Sequence, residues 1–160
     1  MILSRNFVKD YIDLDDDLSI KKIGEDMTTA GNEYDVAQKF INCTKLVIGE
    51  IIECNEHPDS DHLHVCKVNI GKEVLQIVCG APNARKGIKV IVAMPGAKLP
   101  GGEIKAGTIR GQESNGMMCS IFELGSNTDM YPDAAPDGIY ILSDNPEYKN
   151  AKIGSDVPEL

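Results

Sequence analysis

No stretch of the chain runs 18 or more apolar residues, so none of it is long enough to cross a bilayer as a helix. The opening residues also lack the unbroken apolar core of a secretory signal, because Arg5, Lys9 and Asp10 interrupt it. A soluble, cytoplasmic protein is expected. Cysteines are five, odd in number and widely spaced (Cys43, Cys54, Cys66, Cys79, Cys119), and no CxxC occurs, which argues against both a disulfide framework and a zinc ribbon. Cys66, Cys79 and Cys119 stand beside Val or Met in strand-like runs, where a thiol behaves as a small buried hydrophobe. No GxxxxGK[ST], GxSxG or HExxH string is present, so the usual nucleotide, esterase and zinc-protease signatures are missing. Aromatic side chains are also scarce, with eight Phe and Tyr in all and none between residues 80 and 118.

What the chain does have is acid. Its net charge is -9, but that charge is unevenly spread. Residues 1 to 79 carry 8 basic and 15 acidic side chains and residues 119 to 160 carry 2 and 8, whereas residues 80 to 118 carry 6 and 2. One basic stretch therefore lies inside an acidic chain, where a uniform acidic field would repel any polyanion. At 160 residues and 42% hydrophobic content, the chain can bury one sizeable core with a small appendage.

The first 39 residues read as helical and polar. A short amphipathic turn from Ser4 to Tyr11 is expected to bury Phe7, Val8 and Tyr11. A second helix is expected from Ser19 to Ala30, capped by Ser19, with Ile20, Ile23, Met27 and Ala30 on one face and Gly31 and Asn32 as its stop. From Thr44 the pattern changes to short β-branched runs punctuated by Gly, Pro and Asn. Strands are expected near Leu46–Cys54, Leu63–Asn69, Val74–Val78, Lys89–Ala93, Lys105–Arg110 and Gly138–Leu142, with Gly71 serving the second hairpin. Strands of this number and length, with one long basic excursion, suit a small closed barrel such as an OB-fold. The expected class is mainly β: an OB-fold-like five-stranded barrel with a small helical α+β unit in front of it.

Three stretches carry a family resemblance: HPDSDHLHVCKV (57–68), IVCGAPNARKGIKVIV (77–92) and RGQESNGMMCSIFELG (110–125). Together they resemble the tRNA-binding domain shared by the beta subunit of phenylalanine-tRNA ligase, the C-terminal part of many methionine-tRNA ligases and small stand-alone tRNA-binding proteins. The opening SRNFVKDYIDL (4–14), TTAGNEYD (28–35) and MPGAKLPGG (94–102) before IKAGTIRG (104–111) look like the start of the bacterial phenylalanine-tRNA ligase beta subunit. The resemblance implies three segments: residues 1–39 as an N-terminal unit that is incomplete alone, 40–150 as the OB-fold tRNA-binding domain, and 151–160 as a segment returning to the first unit. It also implies an excised, non-catalytic piece of a longer subunit. Its parent would use ATP and Mg2+ to attach L-phenylalanine to tRNA. The implied partners are tRNA, the alpha subunit and the remaining beta-subunit domains of an alpha2beta2 enzyme, with no cofactor or membrane for this piece itself. A bracing domain with vestigial RNA binding, or a stand-alone tRNA-binding protein, are the alternatives.

A tRNA module needs cations near phosphates and exposed donors or apolar surface near unpaired bases. The candidates for phosphate are Arg85, Lys86, Lys89, Lys98, Lys105 and Arg110, which read equally as solvated charges balancing nearby acids. Asn83, Ser114 and Asn115 offer hydrogen bonds to bases or sugars, or else close turns, and Asn115-Gly116 is a turn dipeptide. Met117, Met118 and Ser120 match the family's GM motif, which the resemblance places near the RNA-facing surface. Alternation sends one of the two methionines into the core. The absence of aromatics from residues 80 to 118 removes the usual stacking platform, so weak, salt-sensitive binding is expected. His57, Asp59, Asp61, His62, His64 and Cys66 fall within ten residues and raise the idea of zinc. In the family resemblance His57-Pro58 and Asp61 instead shape a loop entering the strand, metal binding is not part of it, and no metal is expected.

Overall fold

The computed structural model describes residues 8–9, 11–15, 17–33, 43–129, 131–146 and 148–157. They fall into two compact units, residues 1–40 and residues 41–160. Among the described residues no helix is long and apolar enough to cross a membrane.

In the first unit, helix α1 spans Ile20–Thr29. Ser19 caps it in an extended conformation, its hydroxyl accepting from the Lys22 N–H at 3.2 Å. Lys22–Asp26 and Lys21–Glu25 pair one turn apart. The helix stops where glycine permits a left-handed residue: Gly31 has φ 91°, and the amides of Gly31 and Asn32 return to the carbonyls of Thr28 and Met27. These are the paired bonds of a Schellman termination. Ile20, Ile23 and Met27 are half-buried as expected of one apolar face, whereas Ala30 is exposed. Most of the expected turn from Ser4 to Tyr11 lies outside the described residues. Tyr11, expected to be buried, is instead 73% exposed.

The second unit is an antiparallel barrel. Its strands are β1 (Leu46–Glu56), β2 (His64–Asn69), β3 (Val74–Cys79), β4 (Lys89–Ala93), β5 (Lys98–Leu99), β6 (Gly102–Glu103), β7 (Gly107–Ile109), β8 (Gln112–Ser114) and β9 (Met117–Met118). Five of them form one sheet in the order β3-β2-β1-β4-β9, while β5–β6 and β7–β8 are separate two-stranded hairpins. The sheet nearly closes on itself. The Asn115 amide donates to the Gln76 carbonyl at 2.8 Å, and the Val78 amide donates to the Ser114 hydroxyl at 3.1 Å. These bonds tie the approach to β9 back to β3, which gives the strand circuit of an OB-fold.

β1 makes this curvature possible. Its first half pairs with β4 and its second half with β2, and the register shifts between Ile51 and Glu53. Such a bulge bends a strand and increases its twist. At the crossing, a Cβ on Gly49 would lie 2.7 Å from both Val68 Cγ1 and Val92 Cγ2, so only glycine lets the neighbouring side chains close over the strand.

Alternation then builds two cores. Ile51, Cys66, Val68, Ile77, Val90, Val92 and Met118 fill the barrel. Ile48, Ile91, Ala93, Cys119, Ile121, Leu124, Tyr140 and Leu142 pack on its outer side. Strand β4 serves both, with Val90, Ile91, Val92 and Ala93 all 0% exposed. A near-continuous apolar run is what a strand covered on both faces requires.

Two expected strands are corrected. Lys105–Arg110 shortens to Gly107–Ile109 in a side hairpin, and Gly138–Leu142 forms no strand. That segment makes one bridge, Val90 to Ile141, before a short 3-10 turn at Leu142–Asp144. The fifth barrel strand is the two-residue β9. Residues 154–157 lie along the first half of β1, through Gly154 to Ile48, Ile48 to Ser155 and Val157 to Leu46 bonds.

Candidate nucleic-acid interface

Between β4 and β9 the chain makes a long excursion, residues 94–116, which carries the hairpins β5–β6 and β7–β8. Together with the end of β3 and the Pro136–Ile139 segment, it encloses an open groove of about 570 Å³. Much of the lining is backbone at small residues, including Gly80, Gly107, Gly116 and Gly138. Four charged side chains face it: Lys105 against Glu103, Glu123 and Asp137. Of the residues predicted from sequence to bind RNA, the groove gathers Lys105, Ser114, Met117 and Ser120.

These four differ in how free they are. Lys105 is exposed, and among the described residues no hydrogen bond or ion pair engages its ammonium. Met117 is half-buried while Met118 is 3% exposed in the barrel core, as alternation requires. Ser114 is 5% exposed and fully used, accepting from Val78 and donating to the Gly116 carbonyl at 3.3 Å. Ser120 works as a turn cap: its amide and hydroxyl both donate to Glu123 Oε2, at 2.7 and 3.0 Å. Asn115 is half-buried and ties its amide to β3.

The remaining candidates lie outside the groove lining. Asn83 clamps the backbone of Ile139 with both ends of its carboxamide, at 2.8 and 3.0 Å, and Gly138 is glycine because a Cβ there would fall 2.4 Å from Asn83 Nδ2. Arg85 pairs with Asp144 at 3.3 Å. The Lys89 ammonium donates to the carbonyls of Lys149 and Ala151 at 2.9 and 2.8 Å, holding the C-terminal part of the unit against β4. Lys86 and Lys98 are exposed. Lys98 is the cross-strand partner of Glu103, which places it on the hairpin beside the groove. Of the basic stretch, Arg85 and Lys89 are thus tied to residues 144–151, Lys98, Lys105 and Arg110 lie on the excursion, and Lys86 belongs to neither set.

Arg110 belongs to the excursion. It sits at the tip of the two-residue turn between β7 and β8, with φ 46° followed by Gly111 at φ 81°, the left-handed pair that matches the twist of a tight hairpin. Its guanidinium donates to the Asp59 carbonyl at 3.0 Å. His57, 3% exposed, supports the same junction. Its Nδ1 accepts from the Asp59 amide at 3.0 Å, which leaves the proton on Nε2, facing the Ile109 carbonyl at 3.3 Å. The 57–63 loop and the β7–β8 hairpin are therefore fastened together. Sequence reading treated His57 as a loop-shaping residue; its tie to a hairpin 52 positions away had no local signal.

The histidines do not converge. His62 is exposed and bonds Asp61 at 2.8 Å, and among the described residues no group of three His, Cys, Asp or Glu side chains is placed to hold a metal ion. The hydrogen bond from His62 holds the Asp61 carboxyl below its ordinary range. Burial pushes the Cys119 thiol up to about 12 and raises Cys79, which faces the groove, so neither is a thiolate at neutral pH. The acidic lining from Glu103, Glu123 and Asp137 escaped the sequence reading, because a search for phosphate partners looks only for cations.

Residues 46–138 match the family model described as "Putative tRNA binding domain". The chain is 44% identical over 91% of its length to the phenylalanine-tRNA ligase beta subunit of Streptococcus pneumoniae, and 43% identical over 98% to that of Shouchella clausii. It spans 18% and 19% of the length of those relatives. Among solved structures, a MetRS-related protein from Pyrococcus horikoshii aligns with 70% of this chain and 87% of its own, at a TM-score of 0.48 and 20% identity. With the family model covering the barrel and the excursion that shapes its groove, the chain belongs to the tRNA-binding domain family.

Proposed function

We propose that this chain is an auxiliary tRNA-binding module of a phenylalanine-tRNA ligase beta subunit, that it binds RNA weakly, and that it performs no chemistry itself. The parent subunit would work in the cytoplasm within an alpha2beta2 enzyme that uses ATP and Mg2+ to attach L-phenylalanine to tRNA, with tRNA, the alpha subunit and the other beta-subunit domains as this module's partners. The observation that carries the reading is the family match along the barrel together with identities of 41–44% to beta subunits. Lys98, Lys105 and Arg110, all on the 94–116 excursion, are the phosphate contacts in this reading, and Met117 with Asn115 meets an unpaired nucleotide. Lys86 is a secondary contact.

A second reading, a bracing domain with vestigial RNA binding, draws on a specific observation. Asn83, Arg85, Lys89, Ser114 and Ser120 all have intramolecular partners. The two readings separate in a titration of the chain with phenylalanine-specific and total tRNA at low salt. The comparison is between the unmodified chain, a Lys98→Ala/Lys105→Ala/Arg110→Ala variant and an Arg85→Ala control. Binding lost in the triple variant and kept in the control supports the RNA module. Absence of binding by the unmodified chain, or equal binding by all three, supports the bracing role.

A further inference from the structure

Cys54 on β1 and Cys66 on β2 are directly opposed in the antiparallel register, and their sulfurs lie 3.6 Å apart. Opposed residues in such a ladder have Cα atoms about 4.5–5.5 Å apart, inside the range of about 4.4–6.8 Å that a disulfide spans. The register therefore gives the pair a backbone spacing that a disulfide can span, and the sulfurs start only 3.6 Å apart. Access is asymmetric. Cys66 is 0% exposed in the barrel core, whereas Cys54 is only half-buried at its edge, with its thiol also directed at the Ala84 carbonyl. Burial and the neighbouring Cys54 thiol push Cys66 well above the ordinary thiol range, so the inner cysteine is not the one that meets an oxidant first.

We propose that Cys54 and Cys66 form an oxidative modification site, closing to an intrachain disulfide when the protein meets hydrogen peroxide. The Cys54 sulfur attacks the peroxide oxygen, breaking the O–O bond; Cys54 becomes a sulfenic acid and water leaves. The Cys66 sulfur then attacks the Cys54 sulfur, forming the S–S bond and expelling a second water that takes up the Cys66 proton. Two thiols are oxidised by two electrons and one peroxide is reduced to two waters. A thiol reductant reverses the link by exchange.

The position gives the link a consequence. Cys54 and Cys66 flank the 57–63 loop, which bonds through His57 and Asp59 to Ile109 and Arg110 on the hairpin beside the groove. Oxidation staples the base of that loop.

The test uses the chain in its folded state. It is exposed to hydrogen peroxide, unfolded in an alkylating agent and weighed, then digested at Asp59 or Asp61 so that the two cysteines fall on separate peptides. The expected result is three alkylated thiols against five before oxidation, a chain about 2 Da lighter once the alkyl groups are subtracted, one Cys54–Cys66 cross-link, and recovery of all five thiols on reduction. Cys54→Ser should yield four alkylatable thiols before and after peroxide. Five alkylatable thiols after peroxide in the unmodified chain would overturn the proposal. So would a cross-link joining Cys66 to Cys79, or a disulfide at Cys66 that persists in Cys54→Ser.

Discussion

At the scale of single residues, short polar side chains in this domain mainly connect one segment of backbone to another. Asn83 is the clearest case, because its amide reproduces both halves of a strand-like pairing with Ile139. Asn83→Ala should destabilise the unit by about 1–3 kcal/mol by leaving the Ile139 N–H and C=O without their partner, and chemical denaturation should show it. Retention of full stability would mean that water or a shifted loop replaces the amide. The sequence placed Asn83 in a Gly- and Pro-bounded stretch and left open whether it bonded a base or closed a turn. The backbone partner that the structure gives it is 56 residues away, beyond the reach of local pattern. A different residue-scale prediction concerns Asp61. Its carboxyl is held low by His62, so it favours the folded state above the ordinary carboxylate range and loses that contribution as pH falls through its depressed folded value. An NMR titration should place the Asp61 midpoint below that of a free aspartate. In His62→Ala the midpoint should rise toward the ordinary value, and an unchanged midpoint would remove His62 as the cause.

At the scale of elements, legibility tracked length. Strands β1 to β4 each present five or more residues, enough for β-branched runs and bounding turns to stand out, and the Gly31–Asn32 stop of α1 was readable from residue type. β9 has only Met117 and Met118, too few for any period, so the barrel's closing strand appeared only as part of a motif. Gly138–Leu142 showed the opposite error. Its apolar residues are needed to cover β4, and that burial imitates a strand where only one bridge forms. The closing strand also depends on one glycine. Gly116 has φ +140°, and a Cβ there would lie 2.9 Å from the Ala93 carbonyl oxygen, a backbone atom of the strand that β9 pairs with. Gly116→Ala should therefore cost at least about 1–3 kcal/mol and loosen the β4–β9 pairing, whereas Gly101→Ala, with open space and ordinary φ, should stay within about 0.5 kcal/mol. Comparable losses in the two variants would show that β9 can shift at little cost.

At the scale of the whole molecule, charge is the deciding quantity. A chain of net charge -9 repels RNA at long range, and the basic excess of residues 80 to 118 acts only within about a Debye length, about 8 Å at physiological salt. The structure narrows that excess further, because Lys89 is bonded to two carbonyls and Arg85 is paired with Asp144, leaving Lys98 and Lys105 on the excursion, Arg110 there with one donor already on the Asp59 carbonyl, and Lys86 apart from them. If three cations meet phosphate, the slope of log K against log salt should be about -2 to -3, the range set by roughly 0.7 to 0.9 counterions released per contact. Lys105→Ala should make the slope shallower by about 1 while shifting affinity for all tRNAs alike, as expected of a phosphate contact that reads no base. Fluorescence anisotropy with labelled tRNA over a salt series measures both quantities. A slope near zero in the unmodified chain would mean that the acidic surface governs the encounter and that whatever contact remains is with bases. A slope of -5 or steeper would need about six or seven contacts, so that cations beyond Lys86, Lys98, Lys105 and Arg110 must engage, either Arg85 and Lys89 released from their partners or lysines outside the basic stretch such as Lys72.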